Sequence, residues 1–469
     1  MRGKTMFSLA KTFCATAALC AAAPALAAPD PETFRKQLDS FIEQEMRQEK
    51  VPGVSVAVLR KGEIVVAKGY GQADVENNVP VTTETIFQSG SVGKMFTAAA
   101  VLTQVEQGRM GLDDRVSKYL PGVPASWGAM TIRHLLTHTS GVANYGRDFD
   151  YRRDYTDDEL VKLAAAMPLD FAPGARWNYS NTGYALLGIL VKKATGKSYL
   201  EVLDSEVFKP LGMKTARGIS DGDIVMHRAS GYQLDGGVLK NQDFVSPTMN
   251  ATADGSLYFS LDDMIAWARG VEQGKVLSDA SWKQVYTPAR LNSGKAYPYG
   301  FAWRLDSAAG KPRYHHGGAW QGFRTYYSRY LGDDLSIVLL TNSAATDLDA
   351  FVDGIAKLWD PALVAPAPRP KAEPDTARRV TALIETARTG ALRQQDVPLV
   401  GAERLAMMNP HFADLMKPLG ALTKLELVER EELGDDISYT FDASFGDRKM
   451  KVRYAVAPGN QVSSFFISQ

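Results

Sequence analysis

Apolar and polar positions alternate through Val54, Val56 and Val58, break at Lys61-Gly62, and resume with Ile64, Val65 and Val66. A period of two on both sides of a lysine–glycine turn predicts a β-hairpin near the start of the chain. The period then changes. From residue 95 to about residue 273 the pattern is mainly helical, with apolar stretches of 3.6-residue period at 95–105, 160–166 and 184–194. Strand-like runs return at 314–316, 324–331 and 335–341, followed by an amphipathic helix over 348–359. The simplest arrangement is a sheet assembled from both ends of this segment, with a helical region inserted between them.

Residues 361–374 hold five prolines, too many for a helix or an interior strand, and read as a linker. Beyond it, Val380, Leu383, Ile384 and Ala387 follow a helical period, and strand-like runs recur at 425–428, 437–441, 449–456 and 462–467. The expected organisation is a main domain over 28–360, the linker 361–374, and a small α+β domain over 375–469. Pattern alone leaves open whether the small domain binds ligand, covers a cleft or mediates dimers.

The first 27 residues have a different character: Arg2, Lys4 and Lys11, an Ala/Leu-rich run, then Ala25-Leu26-Ala27. This is the layout of a cleaved secretory signal, and its apolar run is shorter than the ~20 residues a spanning helix needs. The expectation is a secreted or periplasmic protein with no stable membrane anchor after cleavage. Both cysteines, Cys14 and Cys20, lie inside that segment, which removes disulfides and thiol catalysis from consideration in the remainder.

Length and charge narrow the field further. At 469 residues, 45% apolar and 23% charged, the chain has the composition of a folded globular protein. Lys+Arg and Asp+Glu are balanced at 53 each, so no bulk charge points to nucleic acid or an anionic membrane. A small-molecule or peptide-like substrate fits better, and no cofactor is implied.

Three segments carry candidate chemistry. Ser91-Val92-Gly93-Lys94 sits where a helix begins, and residues three apart share a helix face, so a hydroxyl nucleophile and an amine base come within reach of each other. The same Ser-x-x-Lys spacing occurs at Ser8 and Lys11, so the motif alone does not exclude Ser91 as an ordinary helix cap. Tyr179-Ser180-Asn181 precedes a second helix, offering a phenol for proton transfer and an amide to orient a substrate; the alternative is a core-packed tyrosine with Asn181 as a cap. The third segment, Tyr314-His315-His316-Gly317-Gly318-Ala319-Trp320, is a strand running into glycines, where backbone approaches a ligand closely. Adjacent strand residues face opposite ways, and the spacing to Gly318 selects His316 for the cleft. Six histidines without a His-Glu-x-x-His pattern argue against a metal site.

In this order the three segments resemble the serine β-lactamase-related hydrolases: class C β-lactamases, DD-peptidases, D-aminopeptidases and related esterases. The resemblance runs from about residue 34 to residue 359. It includes Gly111-Leu112-Asp113-Asp114-Arg115-Val116, the run from Thr131 to Gly141, Pro210-Leu211-Gly212-Met213 and Thr341-Asn342. It implies an antiparallel sheet flanked by helices beside an all-helical region, with the site in the cleft between them. It further implies Ser91 as the acylated nucleophile, Lys94 and Tyr179 sharing base and acid work, and Asn181 touching the substrate. The backbone N–H groups of Ser91 and Ala319 would form the oxyanion hole, with His316 and Gly318 lining the substrate side. His134 and His138 read as a short helix and its following turn, and Asp254-Gly255 as a turn near the cleft.

The chain departs from many members in having His316-Gly317-Gly318 where they carry Lys-Thr-Gly. An ordinary histidine, with a pKa of ~6.5, is mostly neutral where a lysine is a permanent cation. On charge alone, carboxylate binding is expected to be weaker, and His316→Lys is expected to improve it. The reading that follows is an exported serine hydrolase of esters or D-amino-acid-type amides. The alternatives are a DD-peptidase or weak β-lactamase on the same residues, a non-catalytic binding protein on the same fold and a metal-dependent enzyme.

Overall fold

The computed structural model describes residues 29–146, 149–219, 222–364 and 369–468; the expected signal segment lies outside them. Helix α1 (Pro31–Glu49) begins at Asp30, whose carboxylate accepts from the Thr33 N–H, and ends at Lys50 in the left-handed region. Phe34, Leu38 and Ile42 line its buried face. Strands β1 (Gly53–Arg60) and β2 (Glu63–Asp74) form the expected hairpin, with Lys61 at φ 49° and Gly62 at φ 73° in its turn. Positive φ at both turn residues matches the twist of the flanking strands.

A short strand β3 (Val79–Pro80) follows, then the helical region with α2 (Gly93–Glu106), α3 (Asn181–Thr195) and α4 (Leu261–Glu272). The chain returns to the sheet as β4 (Arg304–Ala308), β5 (Lys311–Trp320), β6 (Phe323–Tyr330) and β7 (Leu335–Thr341), and α5 (Leu348–Trp359) closes the domain. The sheet order is β4-β5-β6-β7-β1-β2-β3, antiparallel throughout. Both ends of the segment therefore meet in one sheet, at the β7–β1 pair.

Strand β1 is buried on both faces. Val54, Val56 and Val58 pack with α1 and α5, while Ala57 and Leu59 join the core shared with the helical region. The period of two seen in the sequence thus sorts side chains between two layers. Helix α2 is buried along nearly its whole length, which is why its apolar residues surround it instead of forming one stripe.

The C-terminal domain has its own core, running from Val380 to Ile467. Helices α6 (Pro374–Arg388) and α7 (Ala402–Met416) precede a meander of β8 (Lys424–Leu433), β9 (Asp436–Phe445), β10 (Arg448–Ala457) and β11 (Gln461–Ser468). Helix α7 was not foreseen from the pattern. It contains Pro410 and starts at Gly401 without a side-chain cap, two features that argue against a helix in sequence. Likewise β5 extends beyond the expected 314–316 through its glycines to Trp320.

Candidate active site

The nucleophile segment is a single 3-10 turn, Gly90–Val92, that feeds α2. Ser91 makes no capping bond there, so the helix-cap reading does not describe it. Three backbone segments converge on its N–H. Gly90 has φ 49°, and a Cβ on it would lie 2.4 Å from the Ala319 nitrogen. A Cβ on Gly318 would lie 2.3 Å from the Ser89 carbonyl oxygen, and one on Gly255 would lie 2.6 Å from the Gly90 carbonyl oxygen. Only glycine allows this approach of the Ser91 turn to the Gly318-Ala319 backbone. The Ser89 hydroxyl donates to the Gly255 carbonyl at 2.8 Å, pinning the turn from behind.

Lys94 is fully buried, without a carboxylate partner among the described residues. Its Nζ donates to Asn181 Oδ1 at 2.8 Å and to the Asp254 carbonyl, and lies 3.2 Å from Ser91 Oγ. The two carbonyl oxygens can only accept, so they take two amine hydrogens. The remaining direction of the nitrogen faces the serine hydroxyl, the one partner able to give or receive a proton. Asp254-Gly255 is a turn, as expected, and its function at the site comes from a main-chain oxygen.

Tyr179 lies against this amine, with its ring centre 4.9 Å from Lys94 Nζ. Its backbone is tied on both sides: Asn178 N–H donates to the His138 carbonyl at 3.0 Å, and Asn144 Nδ2 donates to the Tyr179 carbonyl at 3.0 Å. The hydroxyl itself is buried and makes no hydrogen bond among the described residues. Asn181 opens α3, with its N–H on Asn144 Oδ1 and Ser180 as the capping residue. Ser91, Lys94, Tyr179 and Asn181 are thus brought together in one cluster.

His316 and His315 face opposite sides of β5, and the bonding of His316 is closed. The Ser180 N–H donates to His138 Nδ1 at 3.1 Å, so that nitrogen carries no proton and His138 Nε2–H points to Tyr299 Oη at 3.2 Å. Tyr299 then donates to His316 Nε2 at 3.0 Å, and His316 Nδ1–H donates to the Gly317 carbonyl at 2.6 Å. Every tautomer in this chain is set by its neighbour. Burial, reinforced by Lys94 and His316, pushes His138 well below its ordinary value; burial, with Arg304 and Lys94, does the same to His316. Both rings are neutral. With both nitrogens spent, His316 does not offer the free donor that direct substrate binding requires; it sits 6.0 Å from the Tyr179 ring as part of the floor.

Three contributors escaped the sequence reading. His138 is a turn residue, at φ 58°, yet its ring centre lies 4.3 Å from that of Tyr179 with the planes tilted by 38°. Tyr299 lies in a loop without periodicity. Arg304, on the edge strand, is exposed, its side chain makes no hydrogen bond or ion pair among the described residues, and its charge acts on His316, His138 and Tyr297. A cavity of about 250 Å³ opens beside Ala319, between Trp320, Gln88, Phe244 and Asn250. No group of three or more metal-ligating side chains occurs among the described residues.

The beta-lactamase family profile matches residues 38–358. Penicillin-binding protein 4* of Bacillus subtilis (strain 168) is 30% identical over 326 residues, covering 66% of this chain and 72% of that protein. The D-aminopeptidase of Gluconobacter oxydans (strain 621H) is 29% identical over 329 residues, covering 66% of this chain. The match spans 59% of that relative, less than two thirds of its length. Among solved structures, the octameric penicillin-binding protein homologue from Pyrococcus abyssi superposes with TM-score 0.62 at 24% identity, over 93% of this chain and 100% of its own.

Proposed function

The chain belongs to the beta-lactamase family, and from that premise we propose that it is an exported serine hydrolase that cleaves an ester or a D-amino-acid-type amide through an acyl-enzyme on Ser91. The observation that carries this reading is the Lys94 amine, held by two obligate acceptors with its third direction on Ser91 Oγ at 3.2 Å. In the first step the substrate carbonyl oxygen lies between the Ser91 and Ala319 N–H groups, Ser91 Oγ bonds to the carbonyl carbon, and Lys94 takes the hydroxyl proton. Tyr179, whose hydroxyl has no hydrogen-bond partner among the described residues, passes its proton to the departing amine or alcohol as the scissile bond breaks, and Lys94 returns the serine proton to Tyr179. Water then releases the acid and restores the serine.

One observation favours a second reading on the same residues. Arg304, exposed on the neighbouring strand, carries a charge that acts on His316, and in this reading it is the cation that the His316-Gly317-Gly318 segment lacks. A substrate bearing a carboxylate, as in DD-peptidase or weak β-lactamase chemistry, finds its counter-charge there. The intact mass of the protein after a fluorophosphonate and, separately, a penicillin tests both, with Ser91→Ala alongside. A Ser91-dependent fluorophosphonate adduct with no lasting penicillin adduct, and no penicillin turnover by direct assay, supports the first reading. A stable penicillin adduct supports the second. No adduct with either reagent overturns both and leaves a binding protein on this fold.

A further inference from the structure

The loop that delivers Tyr179 hangs between two supports. On the inner side Gly174 N–H donates to the Thr139 carbonyl at 2.7 Å, and Asn178 N–H to His138. On the outer side Asn292 donates through its N–H to the Gly174 carbonyl at 2.8 Å and through Nδ2 to the Pro173 carbonyl at 3.0 Å. Trp177 lies flat on Tyr297, with ring centres 4.3 Å apart and planes 7° from parallel. Asn292 and Tyr297 belong to the short hairpin over residues 289–297, so the loop rests on that hairpin.

The far side of the hairpin is covered by the C-terminal domain. Gly434, in the turn between β8 and β9, donates its N–H to the Ala296 carbonyl at 3.1 Å. Its φ is 64°, and a Cβ there would lie 2.6 Å from Leu291 Cδ1. Two residues on, Asp436 Oδ2 accepts from Arg176 Nη2 at 2.9 Å and from Ser463 Oγ at 2.6 Å. Side-chain exposures of 25% and 21% make this a largely buried pair, and among the described residues it is the one ion pair joining the two domains. It lands three residues before Tyr179.

We propose that the C-terminal domain is part of the catalytic apparatus: its β8–β9 turn clamps the Tyr179 loop, and Arg176 and Asp436 are positioning residues for proton transfer by that tyrosine. The proposal rests on the hydrolase reading above. An ion pair of this kind adds little to global stability when exposed, but here it fixes one end of a loop whose tip must hold a hydroxyl in register with Lys94. A misplacement of about 1 Å at a reacting group is enough to lower a rate roughly 10²-fold, so part of that loss is expected when the outer anchor is cut.

The test uses the full chain with Asp436→Asn, Arg176→Gln and the exchanged pair Arg176→Asp with Asp436→Arg. Each single variant is expected to lower kcat about tenfold with KM changed less than about threefold, and the exchanged pair to recover most of the loss. Hydrogen exchange of backbone amides over 174–180 is expected to speed up in the single variants and to slow again in the exchanged pair. Unchanged exchange overturns the clamp. Faster exchange with unchanged kcat, or a loss of kcat that the exchanged pair does not restore, overturns the catalytic role. Labelling of wild-type Ser91 by a fluorophosphonate reports separately on the hydrolase reading, and the exchange measurement decides the clamp even where labelling fails.

Discussion

The two faces of β5 hold neighbouring histidines in opposite chemical settings. Behind the sheet, His315 Nε2–H donates to Asp306 at 2.9 Å and its Nδ1 accepts from Tyr326 at 2.6 Å, while Arg313 bonds the same carboxylate and reaches Asp353 on α5. Each charge there meets its opposite. On the cleft side, burial, Arg304 and Lys94 all act against a charge on His316, and the Tyr179 hydroxyl makes no hydrogen bond among the described residues. Around His315 both ring nitrogens and the Asp306 carboxylate are engaged, whereas beside His316 that hydroxyl is left for a reacting substrate.

The largest expected effects fall on the open valences. Lys94→Ala and Tyr179→Phe should each lower kcat/KM by at least ~10²-fold with little change in thermal midpoint, the scale of a lost acid or base. Turnover near wild type in either variant would remove that residue from the mechanism. Next comes the direct contrast between the two histidines. His316→Lys places an amine in a buried setting near Lys94 and cuts the chain from Tyr299, so it should lower kcat/KM roughly tenfold for every substrate instead of improving carboxylate binding. His315→Asn should leave kcat/KM within about twofold and lower the thermal midpoint, because it breaks a closed network. The reverse pattern would erase the distinction between the faces.

A smaller and more selective effect is expected at Arg304. Arg304→Gln should raise KM about tenfold for carboxylate-bearing substrates and leave neutral esters unchanged, consistent with loss of one charge-assisted contact. Equal changes for both classes would discount the counter-charge role.

The mildest prediction concerns acid stability. His138, His315 and His316 all fall below their ordinary 6.5 in the fold, with burial as the leading cause. The unfolded chain therefore binds more protons below about pH 6.5, and stability declines as the solution is acidified. Asp306 is held at about 2 against an ordinary 3.8, despite burial, by its bonds to Arg313 and His315. Its contribution is present above about pH 3.8 and is lost toward pH 2. Thermal midpoints measured from pH 8 to about pH 2 should fall in two stages; a rise between about pH 7 and pH 5 would contradict neutral imidazoles in the fold.

Local pattern was sufficient for the hairpin and the buried helices, because period and turn residues act over a few positions. It also placed Ser91 and Lys94 together, since three residues on a helical turn have one relative geometry. Residues with strong side-chain chemistry in short motifs, such as Tyr179 and His316, were visible for the same reason. Only the tertiary structure decided what those residues can do. Asp254 acts through its main-chain carbonyl, which any residue type possesses. His138, Tyr299 and His316 are far apart in sequence, and their protonation follows from a chain of contacts that exists only after the helical region packs on the sheet. The Arg304 charge acts on His316 from a strand distant in sequence from Lys94, and Asp436 reaches Arg176 across a domain boundary. Sequence by itself determined which groups are present and their local spacing; burial and long-range contact decided which carry a proton, which lack a partner, and which face the substrate.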